Sequence, residues 1–112
     1  MYVKTASTLF RLLGDEARLR LLRLLSQERL NVSELTAVLG IAQSGVSRHL
    51  GLLRDAGLAS VERGGGFTFM RATPDEQDAR LGPVWSLLQT RFDAAGADAI
   101  VREDQARLRQ VL

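Results

Sequence analysis

The segment that most constrains the fold of this chain is SGVSRHLGLLRDAGLA, which runs from Ser44 to Ala59. Three of its apolar residues recur at gaps of four and three, which is the spacing of one face of an α-helix: Val46, Leu50 and Leu53. The positions between them are mostly polar and include Ser47 and Arg48. The segment therefore predicts a helix that packs one side on a core and leaves a short polar side uncovered.

The segment before this helix predicts a second, shorter helix. ELTAVLG is about two helical turns long, and we expect Ser33 to cap its start and Gly40 to end it. We expect residues 30–32 to form an extended link that precedes the short helix, and residues 41–43 to form a tight turn that follows it. The two helices are therefore expected to lie next to each other, joined by a turn.

Two further helices are predicted upstream. Residues 2–13 carry apolar side chains on too many sides for one buried stripe, so this helix needs cover on more than one side. Gly14 ends it, and Asp15 is a good N-cap for the next helix, EARLRLLRLLSQE. The leucines of that helix form a core face, and we expect three of its arginines to point outward: Arg18, Arg20 and Arg23.

Downstream of the long helix the pattern changes. LASVER and FTFMRAT have strand-like composition, and the three glycines between them, residues 64–66, supply the positive φ angles of a hairpin turn. The segment from Thr73 to Glu76 predicts a capping box with a proline at the first helical position. We expect Gly82 and Pro83 to interrupt the helix that begins there. An apolar stripe follows, and a last helix begins after Gly96.

This order of elements predicts the fold class. It reads helix, helix, short helix, helix, hairpin and long helices, which is mainly α with a small β-hairpin. The arrangement is that of a winged helix-turn-helix followed by an extra helical element. With 112 residues, 46% of them apolar and 25% charged, the chain is expected to fold as one domain.

Composition excludes several classes of protein. The chain has no cysteine, so disulfides, thiolate metal sites and thiol redox switches are excluded. No apolar run approaches the length of a membrane span and the N-terminus lacks a signal-peptide pattern, so we expect a cytoplasmic protein with no membrane partner. The net charge of +2 is a weak indication of nucleic-acid binding. Its distribution is more informative, because Lys and Arg exceed Asp and Glu by nine to six up to Arg63 and number six against seven after it.

The polar side of the long helix predicts a DNA contact. In a helix-turn-helix the second helix enters the major groove, where glutamine can bridge adenine and arginine can bridge guanine. The candidates are near its N-terminus: Gln43, Ser44, Ser47 and Arg48, with Gly45 leaving room for close approach. The alternative is that these residues are only the solvent-facing side of an amphipathic helix. The short capped helix before them and the hairpin after them favour DNA binding.

Two more arginines are candidates for DNA contact. For Arg54 we expect local surface or backbone contacts, with a phosphate contact as the alternative. Arg63 flanks the hairpin tip and is placed to touch phosphate or the minor groove. The tip itself is three uncharged glycines, which predicts weak base reading there.

The chain resembles the ArsR/SmtB family of bacterial winged-helix repressors. The likeness runs from about Leu9 to Arg71 and is carried by LFRLLGDEARLRLLRLLSQERLNVSEL and SGVSRHLGLLRDAGL. Family members read L-x-D-x-x-R-L-x-I-L in the first of these regions and V-S-x-H-L-x-x-L-x-x-A-G-L in the second. The resemblance implies a homodimer that binds an inverted-repeat operator in double-stranded DNA and releases it when a small-molecule inducer binds.

The resemblance also implies how the dimer forms. Family members commonly pair through their first and last helices, which agrees with the wide apolar faces of these segments. The expected interface residues are Leu9, Phe10, Leu13, Trp85, Leu88 and Phe92. For Trp85 and Phe92 a place in the core or a place in an inducer pocket are the alternatives. Residues 1–96 are assigned to the DNA-binding domain with its dimerisation helices, and residues 97–112 to a C-terminal helix that is a linker or an extended dimer interface.

The departures from the family concern metal sensing. Metal-sensing members carry cysteines in a segment resembling ELCVCEL, whereas this chain has RLNVSEL, with Asn31 and Ser33 in place of thiolates. Other members bind zinc through histidine and carboxylates of the last helices, but the only histidine here is His49, for which we expect a packing role with a backbone hydrogen bond. Four carboxylates of the C-terminal region are expected to be solvated instead of holding a hard cation: Asp93, Asp98, Glu103 and Asp104. No metal site is expected.

Three other functions are weighed against repression. REDQARLRQVL at the end of the chain resembles the linker of longer relatives that join this fold to an S-adenosylmethionine-dependent methyltransferase, so the chain is alternatively the regulatory module of such a fusion. The weak net charge and the uncharged hairpin tip favour a second alternative, a winged-helix module that binds protein. Catalysis is not expected, because no nucleophile and base pair and no cofactor-binding loop is present.

Overall fold

We describe the fold from a computed structural model, which describes residues 3–73, 78–79 and 81–112. Within these residues the chain forms six helices and one antiparallel hairpin, in the predicted order. The helices are α1 (Val3–Leu13), α2 (Glu16–Gln27), α3 (Val32–Leu39), α4 (Gln43–Asp55), α5 (Leu81–Asp93) and α6 (Ala99–Val111). The strands are β1 (Ser60–Gly64) and β2 (Phe67–Arg71). The predicted fold class, mainly α with a small hairpin, is confirmed.

The core is built around α2, whose leucines are buried between α3 and α4. The three apolar residues that predicted α4 are all buried: Val46, Leu50 and Leu53. Fully burying one such side chain contributes about 1.5–3 kcal/mol. Together they fix the rotation of α4, and with it the direction of its opposite side.

The N-terminal caps follow the sequence with one correction. Asp15 caps α2, because its carboxylate accepts a hydrogen bond from the backbone N–H of Arg18 at 3.0 Å. The prediction that Ser33 caps α3 is wrong. Asn31 is the cap, since its side chain accepts from the N–H of Glu34 at 2.8 Å while the Glu34 carboxylate accepts from the N–H of Asn31 at 2.9 Å. This reciprocal pair starts α3 earlier than expected, so Val32 belongs to the helix.

Glycines with positive φ angles form the turn before α4 and the turn of the hairpin. Gly40 ends α3 with a φ of 69°, in the left-handed region. Gly65 and Gly66 have φ values of 59° and 82°, which matches the two positive angles of a tight hairpin turn. Gly64 lies in β1 and not in the turn. Before α3, Leu30 pairs with Met70 of β2 through two backbone hydrogen bonds and ties the hairpin to the helices.

The expected interruption at Gly82 and Pro83 is wrong, because α5 begins at Leu81 and continues through both residues. They lie in the first turn, where backbone N–H groups have no partner within the helix, so a proline removes nothing there. Residues 74–76 of the predicted capping box lie outside the described residues. No helix among the described residues is long and apolar enough to cross a membrane.

The prediction that the arginines of α2 point outward is also wrong, and for Arg20 and Arg23 the reason is that α6 covers their side of α2. Arg20 donates two hydrogen bonds to the fully buried carboxylate of Asp104, at 2.7 and 2.8 Å. Arg107 donates to the same carboxylate at 2.9 Å, and the hydrogen bonds that Arg20 donates to Asp104 raise the pKa of Arg20. Arg23 is buried and donates to the carbonyl oxygen of Val101 in α6. A buried bidentate pair is costly to break, so these arginines hold α6, which packs mainly on α3, against α2 as well.

Arg18 joins three helices instead of pointing outward. Its Nε donates to the carbonyl oxygen of Leu12 in α1 at 2.6 Å, and its Nη1 lies 3.2 Å from Nδ1 of His49 in α4. His49 is buried, as expected for a packing role, but its partner is a side chain and not the backbone. Burial lowers the pKa of His49 below its ordinary value of 6.5. The nearby charges of Arg18 and Arg48 lower it further, against the opposing effect of Asp15.

The lowered pKa of His49 predicts how stability depends on pH. The folded protein holds the ring neutral at pH values where the unfolded chain binds a proton, so this contribution is complete above about pH 6.5 and is lost as the pH falls through the lowered pKa. His49→Gln keeps an acceptor for Arg18 and does not titrate. We expect urea unfolding to show a loss of stability between about pH 7 and about pH 5 that is smaller in His49→Gln than in the wild type. Parallel losses in the two proteins would contradict the assignment, as would an NMR titration of this single imidazole at or above 6.5.

Candidate nucleic-acid interface

The N-terminal half of α4 presents the polar edge that the sequence predicts. Four of the candidate DNA-contact residues are exposed: Gln43, Ser44, Ser47 and Arg48. None of these side chains makes a hydrogen bond or ion pair with any residue that the structure describes. They lie opposite the buried face of α4, so the fold itself does not use them.

Gly45 lies in the same edge and is half-buried. A Cβ atom built on it would meet no heavy atom within 4 Å. Packing within the protomer therefore does not require a glycine at this position. The absence of a side chain leaves the surface between Ser44 and Arg48 flat, which suits close approach of another molecule.

The start of α4 is open. Its N-cap, Ala42, has no side chain that can accept a hydrogen bond, whereas Asp15, Asn31 and Asp98 cap α2, α3 and α6 through their side chains. The first N–H groups of α4, at the positive end of its dipole, therefore have no capping side chain among the described residues. Such a helix start favours a phosphate oxygen or another anion.

The two outlying arginines are both exposed. Arg54 lies in the last turn of α4 and Arg63 lies in β1, paired across the hairpin with Thr68. Neither side chain has an ion-pair or hydrogen-bond partner within the part of the chain that is described. The local contacts expected for Arg54 are therefore not formed among these residues, and phosphate contact stays a prediction for both.

An arginine from the segment between α2 and α3 packs on one face of the hairpin, and the sequence analysis did not identify it. Arg29 stacks its guanidinium on the ring of Phe69 at 4.5 Å and donates to Glu62 at 3.3 Å. Arg71 binds the other oxygen of the same carboxylate at 3.2 Å. Arg29 lies 33 residues before Glu62, so no local pattern could have revealed the contact. Because these groups are partly exposed, the set orients the hairpin more than it stabilises the fold.

The residues predicted for the dimer interface fall into three groups. Leu9, Leu13 and Leu88 are buried within the protomer and have little surface left for a partner. Trp85 and Phe92 are half-buried against the core. Phe10 is 61% exposed and lines a groove of about 450 Å³ between α1 and α5, together with the exposed Leu87. Of the six predicted interface residues, Phe10 therefore offers the most apolar surface for pairing.

Two of the four carboxylates considered for a hard cation are already engaged. Asp98 caps α6 by accepting from the backbone N–H groups of Ile100 and Val101, and Asp104 is held by arginines. Asp93 and Glu103 are exposed. Among the residues described, no three side chains of the metal-binding types come together.

Comparison with known proteins agrees with this geometry. The family model for the bacterial regulatory protein, arsR family, matches residues 15–61. The arsenic resistance transcriptional regulator ArsR1 of Pseudomonas putida is 36% identical over 74 residues, which are 65% of this chain. The arsenical resistance operon repressor of Escherichia coli is 40% identical over 67 residues, or 59% of this chain. The chain spans 58% and 57% of the lengths of these two relatives.

Solved structures extend the match beyond α4 and the hairpin. The transcriptional repressor BigR from Xylella fastidiosa is 29% identical with a TM-score of 0.67, over 83% of this chain and 88% of its own. The transcriptional regulator HlyU from Vibrio vulnificus is 31% identical with a TM-score of 0.56, over 75% of this chain and 88% of its own. The winged helix-turn-helix fold is therefore confirmed, and this chain belongs to the ArsR family of bacterial regulatory proteins.

Proposed function

We propose that this protein is a homodimeric transcriptional repressor that inserts α4 into the major groove of an inverted-repeat operator and is released by a small-molecule inducer. The observation that carries the proposal is the unpartnered polar edge of α4 on a helix whose other side is fully anchored. Arginine and glutamine can make paired hydrogen bonds to guanine and adenine edges. An edge held in place by three buried residues brings them to DNA at little entropic cost.

The rest of the surface supports the same partner. The uncapped start of α4 suits a backbone phosphate, and Arg54 and Arg63 extend the positive surface from the end of α4 to the hairpin. The relatives named above include a transcriptional repressor and an operon repressor. A protein-binding module would not need an arginine and an open helix start at the same edge, so DNA is favoured over a protein partner.

The apolar groove between α1 and α5 supports the proposal of a homodimer. Exposed Phe10 and Leu87 form apolar surface that a monomer would leave in water. A second copy of the same groove, related by two-fold symmetry, would cover both residues at once. To read an inverted repeat, such a dimer has to hold its two α4 helices about 34 Å apart, one turn of DNA.

A linker role for residues 97–112 is not favoured. An interdomain linker would be expected to make few contacts with the domain before it, whereas α6 is docked on α2 through the buried Asp104. We therefore propose that residues 97–112 complete the regulator domain.

The DNA-reading role of α4 predicts a loss of sequence preference. A binding site is first selected from a random DNA library with the wild-type protein. Arg48→Ala and Ser47→Ala are then expected to lower the preference for that site over a scrambled one, about tenfold or more for Arg48→Ala, since a paired arginine–guanine contact carries about 1–3 kcal/mol of discrimination. Gel shift measures both affinities.

The control for this experiment is Arg102→Ala, which removes an exposed arginine of α6 far from the edge in sequence. It is expected to leave the preference unchanged. An equal loss in the control, or an unaltered preference in Arg48→Ala, would remove Arg48 from the reading of bases.

The dimer model predicts that a charge at Phe10 separates the protomers. Phe10→Glu is expected to shift the protein from dimer to monomer in sedimentation analysis, because burying a carboxylate in a largely apolar interface is costly whereas burying a phenyl ring is favourable. Phe67→Glu is the matched control, since Phe67 in the hairpin is also 61% exposed. A dimer that survives Phe10→Glu, or one that both substitutions disrupt equally, would place the interface elsewhere.

A further inference from the structure

A second groove lies on the other side of α1, between α1 and α4. Its volume is about 480 Å³, within the range of small-molecule sites. Residues of both helices line it, among them Lys4, Thr8, Leu12, Leu52 and Asp55. The apolar part includes Leu52, which is 42% exposed although it is a large hydrophobic residue.

This groove is separate from the proposed dimer interface. Each residue turns a helix by about 100°, so Thr8 and Phe10 point to nearly opposite sides of α1. Thr8 lines the groove toward α4, and Phe10 lines the groove toward α5. A dimer formed through Phe10 therefore leaves the α1–α4 groove available to another molecule.

The charges of the groove indicate what it binds. Lys4 and Asp55 lie on its rim, and neither side chain forms an ion pair or hydrogen bond with the residues described in this structure. Lys4 is the only lysine of the chain. One positive and one negative group beside an apolar surface complement a ligand with an apolar body and a head group that carries both charges.

The groove adjoins the contact that joins α1 to α4. Arg18 binds the carbonyl oxygen of Leu12, a groove residue, and the ring of His49. His49 and Leu52 lie one turn apart on α4, and Ser47 and Arg48 lie directly before His49. A molecule bound between Leu12 and Leu52 would therefore contact both the helix that carries the polar edge and the helix on which the proposed dimer is built.

We propose that the α1–α4 groove binds a small zwitterionic molecule with an apolar body, such as a large apolar amino acid, and that this is the inducer site. The ammonium group faces Asp55, the carboxylate faces Lys4, and the apolar body covers Leu12 and Leu52. The regulatory part rests on the proposed repressor function, whereas the binding part does not.

The binding is tested on the full chain without DNA. Leucine methyl NMR signals are followed while L-leucine, L-phenylalanine or L-tryptophan is added up to about 10 mM, which detects dissociation constants in the millimolar range. We expect at least one of them to shift the methyl signals of Leu9, Leu12 and Leu52 and to leave those of Leu87 and Leu88 unchanged. Unshifted groove signals with all three amino acids would overturn the proposal.

Matched variants test the site and the head group. Thr8→Trp fills the groove and is expected to abolish the shifts, while Ser7→Trp, which places the same side chain on the neighbouring exposed position, is expected to keep them. Asp55→Asn is expected to weaken binding about threefold, and the control Asp93→Asn to leave it unchanged. For a phenylalanine response, 3-phenylpropionate and phenethylamine, which each lack one charge, should bind more weakly. Shifts that persist in Thr8→Trp would overturn the assignment to this groove.

The regulatory part is tested separately by gel shift. The amino acid that binds is expected to weaken DNA binding by the wild type, but not by Thr8→Trp. A protein that selects no DNA site would contradict the repressor function and leave the NMR result standing. Normal DNA binding that the bound amino acid does not alter would overturn the inducer role of the groove.

Discussion

The arrangement of this molecule depends on the burial of one face of α4. Val46, Leu50 and Leu53 pack on the leucines of α2, and this contact decides which way the opposite side of α4 points. Because side-chain direction is fixed along a helix, Ser47 and Arg48 then have to face outward. A polar edge that a protein must hold away from its own core, with no partner inside the protomer, is the physical basis for proposing DNA as its partner.

Arginines connect this helix to the rest of the domain. Arg18 links α4 to α1 through His49 and Leu12, and Arg20 links α2 to α6 through Asp104. The helices proposed to form the dimer, to bind the inducer and to read DNA are thus joined by a few directional contacts. A displacement of α1 would be transmitted directly to α4, because the guanidinium of Arg18 contacts both helices.

Local patterns in the sequence predicted most of the fold. The period of the apolar residues predicted α4, the three glycines 64–66 predicted the hairpin turn that two of them form, and Asp15 predicted the start of α2, because each of these signals acts within a few residues. The outward placement of Arg20 was wrong because its partner Asp104 lies 84 residues away, and no periodicity shows which helix covers a polar face. The cap of α3 was misplaced by choosing Ser33 over Asn31, although Glu34 three residues after Asn31 was a readable capping-box signal. The exposed edge of α4 was predictable from spacing, whereas the groove beside α1 required the packing of two helices.

The most direct test of the account is whether Arg48 reads guanine from the major groove. In the selected DNA site, each guanine is replaced in turn by 7-deazaguanine, which lacks the N7 acceptor, and affinity is measured for the wild type and for Arg48→Ala. We predict one position in each half-site where the replacement weakens wild-type binding about tenfold but leaves Arg48→Ala nearly unaffected. Equal losses in both proteins at every position would contradict the placement of this edge of α4 in the groove.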